Sequence, residues 1–261
     1  MAELTHRPSF DALRPVALAG EYLGGFGYLV ADIARCLRRP GEGRPIVTQM
    51  EQVGVRSLSI VTLTAIFTGM VLGLQLGNYL MRFGAKPYVG RILSVSIVRE
   101  MGPVLTALMV GGRVGAGITA EIGSMKVTEQ IDAMRSLGIN PIQKLVFPRV
   151  IALMVMLPLL TILADFVGLV GGMFIAVFEL DVGAGFYWSS ILQFLRFQDV
   201  FSGLGKTLFF AFFIATIACY HGLQAGGGAD GVGRATTRTV VATSITTLVS
   251  DFFLTKLFLQ L

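Results

Sequence analysis

The sequence predicts an all-α integral membrane protein with an N-terminal interfacial helix, five transmembrane helices and a cytoplasmic helix between the second and third spans. Three observations predict it. Of 261 residues, 54% are hydrophobic and 14% charged, and mean hydropathy is +0.73, whereas soluble domains carry roughly 25% charged residues. Five mostly apolar runs, at 53–77, 92–112, 150–177, 204–223 and 240–259, approach or exceed the roughly 20 residues that cross a hydrocarbon core of about 30 Å. Lysine and arginine are also unevenly placed. With the N-terminus inside, Arg7, Arg14, Arg35, Arg38, Arg39, Arg44, Arg56, Arg113, Lys126, Arg135, Lys144, Arg149, Arg234 and Arg238 fall on the cytoplasmic side. Only Arg82, Lys86, Arg91 and Arg196 fall opposite. That asymmetry satisfies the positive-inside rule, places the C-terminus outside and accounts for the net charge of +5 without a nucleic-acid partner.

Residues 1–14 are polar and lack the order of a signal peptide, so none is expected to be cleaved. Residues 16–34 are apolar but interrupted by Glu21, Asp32 and four glycines, and a basic cluster follows. This suits a helix lying in the interface better than a span. The chain therefore divides into residues 1–47, with the interfacial helix, and a spanning domain at 48–261.

Several motifs fail on inspection. Gly205-Lys206-Thr207 ends like a phosphate-binding loop, but Val200 stands where its first glycine belongs, and an apolar run replaces the strand–loop–helix context. Gly226, Gly228 and Gly231 spell G-x-G-x-x-G, and Asp251 lies 20 residues beyond Gly231. Apolar spans flank the motif where a βαβ unit is required, so a flexible turn is expected there. Cys36 and Cys219 sit in unrelated segments, and His6 and His221 have no second ligand at metal spacing; no disulfide, metal site or catalytic triad is expected.

The longest cytoplasmic connection, 113–149, reads as helical in its middle. Val127, Ile131, Met134 and Leu137 recur at three- and four-residue spacing, while Glu129, Asp132 and Arg135 point elsewhere; Gly138 and Pro141 end the run. The pattern alone suits either a groove on another protein or a bed of lipid headgroups.

The motifs Ile97-Val-Arg-Glu-Met-Gly-Pro103, Gly112-Arg-Val-Gly-Ala-Gly-Ile-Thr-Ala-Glu-Ile-Gly123, Thr128-Glu-Gln130, Gly138-Ile-Asn-Pro141 and Arg234-Ala-Thr-Thr-Arg-Thr-Val-Val241 occur in this order. Together they resemble the MlaE family, the permeases of lipid-transporting ABC systems, over residues 48–261. The related YrbE proteins belong to Mce systems. The resemblance implies a bacterial inner-membrane permease, not itself an enzyme, in which two copies pair around a lipid-holding cavity. Its implied partners are an ABC ATPase, a periplasmic MCE-domain protein, a small STAS-type protein on the ATPase, and phospholipid. No cofactor is expected on this chain; ATP and Mg would sit in the ATPase. Residues 121–137 become the implied coupling helix, with Glu121, Met125, Val127, Glu129, Ile131, Met134 and Leu137 as its candidate contacts.

Arg99, Glu100, Lys206 and Asp251 fall inside spans, where a charge facing lipid costs at least ~2.5 kcal/mol. They are expected to face protein or a wet cavity, either on the transport path or as structural pairs such as Arg99 with Asp251 or Glu100 with Lys206. The resemblance places all four near the central cavity and favours the functional reading. It likewise implies an apolar cavity wall from Leu72, Leu76, Tyr79, Leu80 and Phe83, for which helix packing is the alternative. Gly69, Gly73 and Gly77 form a small-residue ridge suited to helix packing or dimer contact. Asp165, also in a span, falls outside the expected pattern and its role stays open. An ion-coupled carrier or a membrane scaffold is the competing reading.

Overall fold

The computed structural model describes residues 14–37 and 43–260, all but the short connections being helical. The polar stretch before Arg14, with His6, and the basic residues Arg38 and Arg39 lie outside the described residues. α1 (Arg14–Leu37) and α2 (Gly43–Val53) precede α3 (Leu58–Arg82), the body of the first span. The second span is built from α4 (Val89–Ser96), α5 (Gly102–Val110) and α6 (Ala116–Val127), joined through π-helical turns at Ile97–Met101 and Gly111–Gly115. α7 (Gln130–Ser136) follows; then a third π-helical turn, Ile142–Val146, leads into α8 (Phe147–Phe178), the third span. A short α9 (Ala184–Phe194) precedes the fourth span, α10 (Phe197–Leu223), and the fifth, α11 (Gly228–Gln260).

Five helical stretches are long and apolar enough to cross a membrane: Arg44–Arg82, Lys86–Val127, Ile142–Phe178, Phe197–Leu223 and Gly228–Phe258. The protein is thus an all-α, multi-pass membrane protein, and each span overlaps its expected run. The chain passes alternately between an end carrying α7 and the arginines 113, 149, 234 and 238, the basic end, and an end carrying α9. α1 is not among the spanning helices; Leu29 and Ile33 are buried, and Phe26 meets Tyr220 of α10 edge-on at 5.9 Å.

The first and third spans make the closest packing. A Cβ on Gly69 would overlap the Gly168 carbonyl, one on Gly73 would press on Gly172 Cα at 3.2 Å, and one on Gly77 would strike Leu180. Gly69 and Gly73 therefore pack on α8, whose Gly168 and Gly172 answer them, so there the two backbones touch with no side chain between them, while Gly77 packs on Leu180 just past α8.

α11 is held differently. Gly231, Ala235, Thr239, Thr243, Thr247, Asp251 and Thr255 recur every fourth residue and form an inclined ridge turned into the bundle. Thr239 and Thr243 return their hydroxyls to the carbonyls of Ala235 and Thr239, at 2.9 and 2.8 Å, so these two buried hydroxyls are satisfied within the helix.

The connection after the second span departs from the expected single helix over 121–137. α6 ends at Val127, and Glu129 takes a left-handed conformation (φ 60°) that breaks the chain direction before α7 begins. Gly69→Val is expected to lower stability by about 1–3 kcal/mol through overpacking against Gly168. Gly117→Ala, at a helical glycine with open space around it, should leave the thermal unfolding midpoint in detergent unchanged or slightly raised.

Candidate functional site

The π-helical turn at Ile97–Met101 shapes the site. The Gly102 N–H bonds back five residues to the Ile97 carbonyl. Four residues beyond Arg99 stands Pro103, which has no N–H, so the Arg99 carbonyl lacks its ordinary helical donor. Lys206 supplies one: its Nζ donates to Arg99 O at 3.0 Å. Gly203, one turn before Lys206, permits the approach, because a Cβ there would overlap the Val98 carbonyl.

Lys206 is the most buried charge in the cluster, with a side chain 0% exposed. Besides Arg99 O, its Nζ donates to Glu100 Oε2 at 2.7 Å and Thr255 Oγ1 at 2.6 Å. These use all three ammonium hydrogens. Asp251 Oδ1 lies 3.1 Å away as an ion-pair partner yet forms no hydrogen bond. Glu100 (34% exposed) and Asp251 (20%) are the members that open outward. The site sits about nine residues into α10, or roughly 14 Å from the α9 end of that helix.

Arg99 does not pair with Asp251. Its guanidinium points to Asp199 Oδ1, 3.5 Å away in the first turn of α10, where the Asp199 carboxylate also accepts the Arg196 N–H at 3.0 Å and begins the helix. The expected Glu100–Lys206 pair is present. Two members were missed in the sequence: Asp199, which lies outside the apolar run, and Thr255, which four-residue spacing from Asp251 would have pointed to.

Asp165 stands apart from this cluster. Its carboxylate rests where a Cβ on Gly102 would be, and its Oδ1 has no hydrogen-bond partner. The cavity nearest this part of the second span, lined by Thr64, Gly69, Ile97, Met101, Gly102 and Gly168 among others, holds about 20 Å3.

The five apolar candidates do not make one wall within the chain. Leu72 and Leu76 pack on a core cluster with Leu93, Ile97 and Tyr187, Leu80 is half-buried, and Tyr79 and Phe83 stand exposed beyond them.

At the basic end, the candidates over 121–137 divide. The Glu121 carboxylate accepts from Arg149, which is 3% exposed, at 2.8 Å, tying α6 to α8. Ile131 is fully buried, Met125 and Met134 pack on the same core, and Val127 is half-buried, so most of the apolar stripe is satisfied by the chain itself. Outward stand Glu129, Ala133, Arg135 and Leu137, the last 77% exposed. Asp132 is held by Lys126 at 2.8 Å and Arg135 at 3.2 Å, and the Lys126 hydrogen bond lowers its pKa below the usual carboxylate value. No group of three metal-ligating side chains occurs among the described residues.

A five-span helical bundle with a shielded charge cluster between its second, fourth and fifth spans is a membrane permease in kind. The family described as Permease MlaE matches residues 46–257. The chain belongs to that family. It is 43% identical over 248 residues to a "Probable ABC transporter permease protein" of Rickettsia bellii, covering 95% of each chain. It is 44% identical over 217 residues to the "Probable ABC transporter permease protein slr1045" of Synechocystis, covering 83% of this chain and 82% of the relative. It is 36% identical over 252 residues to the "Intermembrane phospholipid transport system permease protein MlaE" of Haemophilus influenzae, covering 90% and 97%.

Lys206→Met would leave Glu100 and Asp251 facing each other without a cation, and is expected to cost about 3 kcal/mol, the low end for a broken buried pair because both carboxylates keep some exposure. Adding Glu100→Gln and Asp251→Asn should recover part of the lost thermal stability. A triple variant no more stable than Lys206→Met would show that the charges are not coupled.

Proposed function

We propose that this chain is the membrane-embedded permease subunit of an ATP-driven ABC transporter that moves phospholipid between the bacterial inner membrane and a periplasmic MCE-type lipid-binding protein. The observation that carries the reading is the Lys206 cluster, a buried cation beside two part-exposed carboxylates among otherwise apolar spans, in a chain 36% identical to the phospholipid permease of Haemophilus influenzae. An amphiphile needs a polar patch for its headgroup and an apolar chamber for its chains. Glu100, Asp251, Arg99 and Lys206 supply the patch.

The chamber requires a second wall. The cavity of about 20 Å3 along the second span is far too small for acyl chains, and Tyr79 and Phe83 project outward without an intramolecular partner surface. A second copy facing the first would enclose these side chains and bring two charge clusters to one chamber. ATP and Mg belong to a separate ATPase, which would grip the outward residues of α7 and Leu137. With the basic end in the cytoplasm, the Lys206 cluster lies in the periplasmic half, the side from which an MCE partner would take lipid, and the C-terminus is periplasmic.

The test is reconstitution of the permease with its ATPase in vesicles holding labelled phospholipid. Label should reach a lipid-binding acceptor only with hydrolysable ATP. Transfer that proceeds without ATPase and follows membrane potential would instead establish an ion-coupled carrier, the reading that the unbonded carboxylate oxygens of Asp165 and Asp251 favour. Leu137→Asp should cut ATP-driven transfer by about tenfold with the unfolding midpoint unchanged, because Leu137 contributes exposed apolar area and little to the core.

A further inference from the structure

The turn between α10 and α11 borders an open polar pocket of about 240 Å3 at the basic end, remote from Lys206. Its polar walls are His221, Gln224, Arg234 and Arg238, with the backbone of Gly226 and Gly231; no carboxylate lines it. The glycines dismissed above as a nucleotide motif shape this cavity. Gly227 and Gly228 take φ of 81° and 72°, reversing the chain, and Gly231 passes so close to the Gly226 carbonyl that a Cβ would overlap it. Arg234 folds over the turn, its Nη2 3.6 Å from where a Cβ on Gly227 would stand.

Arg234 and Arg238, one turn apart on α11, are both exposed and border this pocket, and neither forms an ion pair or hydrogen bond with any described residue. Lys206, Arg99 and Arg149, by contrast, each have an acidic partner. Two guanidiniums converging on a cavity without a carboxylate form a receptor for an oxyanion, since each offers a planar fork of donors matched to phosphate oxygens. Beyond the cavity the same face of α11 continues as Val241, Ile245, Leu248 and Phe252, all exposed, at alternating three- and four-residue spacing from Arg238. Charge at the membrane boundary followed by an apolar strip matches the outline of a lipid with its phosphate at the arginines.

We infer that this cavity binds a phosphate anion, supplied by the headgroup of a phospholipid in the leaflet at the basic end, with an acyl chain lying along the Val241–Phe252 face. The site is joined to the connection toward α7. His221 Nδ1 lies 2.9 Å from Thr239 Oγ1, which lies 2.8 Å from Thr119 Oγ1 on α6. A bound headgroup therefore bears on the helix that leads to the segment expected to meet the ATPase.

The experiment titrates the delipidated full-length chain in neutral detergent with short-chain phosphatidylglycerol, with diacylglycerol of the same chain length and with inorganic phosphate, reading bound lipid by native mass spectrometry and the shift in unfolding midpoint. Phosphatidylglycerol should saturate and diacylglycerol should not. Arg234→Gln/Arg238→Gln should weaken half-saturation by about tenfold, while Arg44→Gln/Arg56→Gln, which removes two cations elsewhere at the same end, should not. Arg234→Lys/Arg238→Lys keeps both charges but loses the forks and should bind more weakly than the native chain yet more tightly than the Gln pair, which separates loss of the site from loss of fold. Competition by inorganic phosphate assigns the site to soluble phosphate and its absence assigns it to the lipid; both uphold an anion site. Equal saturation by diacylglycerol, or equal weakening in both Gln pairs, overturns the proposal. None of these readings uses transport, so failure here leaves the transporter reading standing and the reverse holds as well.

Discussion

A lysine ammonium withdrawn from both water and lipid is tolerable only where oxygen atoms replace its hydration shell, and the arrangement of three spans follows from that requirement at Lys206. The second span contributes a backbone carbonyl and the Glu100 carboxylate, the fifth a hydroxyl and the Asp251 carboxylate. None of these groups would be worth burying alone. Together they convert a penalty of several kcal/mol per isolated ion into a junction that only one relative placement of the helices satisfies. The π-helical turn and Gly203 belong to the same solution, since they bring the α10 backbone against the second span closely enough for the ammonium to reach.

The bundle thereby joins its helices by two kinds of contact. Between α3 and α8 the glycines allow backbone to meet backbone, and the contact is held by short-range dispersion over a wide strip. Between α11 and the rest, polar side chains at four-residue spacing do the joining, and the outward face of the helix stays apolar. The first kind of contact resists any sliding because the surfaces interlock. The second depends on a few directional bonds, and these can be exchanged for others when a neighbouring group moves. The bundle thus holds both a rigid pair and a junction that can rearrange, and the charged junction at Lys206 is of the second kind.

How much of this was legible in the sequence depended on whether a feature repeats along one helix or is assembled across several. Span count and the glycine ridge on the first span are periodic or compositional, and each is found where the residues place it. The Glu100–Lys206 pair was legible as a possibility because few charges were available to pair. Asp199 was not, since it lies before the apolar run and reaches Arg99 only once α10 starts earlier than hydropathy suggests. The break between α6 and α7 was also hidden: Thr128 and Glu129 carry no helix-breaking side chain, yet Glu129 turns left-handed and Ile131, two residues on, is fully buried. Arg149 looked like one more basic loop residue, although the structure spends it on Glu121.

Pro103 deserves a different reading once the hydrogens around Lys206 are counted. Three hydrogens serve four oxygens, so one acceptor is always short, and in this structure it is Asp251 Oδ1. The Arg99 carbonyl claims a hydrogen only because the residue one turn later has no N–H to give it. An uncharged ring that never touches the ammonium thus selects which carboxylate is tied down and which is left with a buried oxygen that no hydrogen reaches. In this sense the valence of the charged junction is written into the backbone of the second span, where no exchange of acidic or basic side chains can reach it.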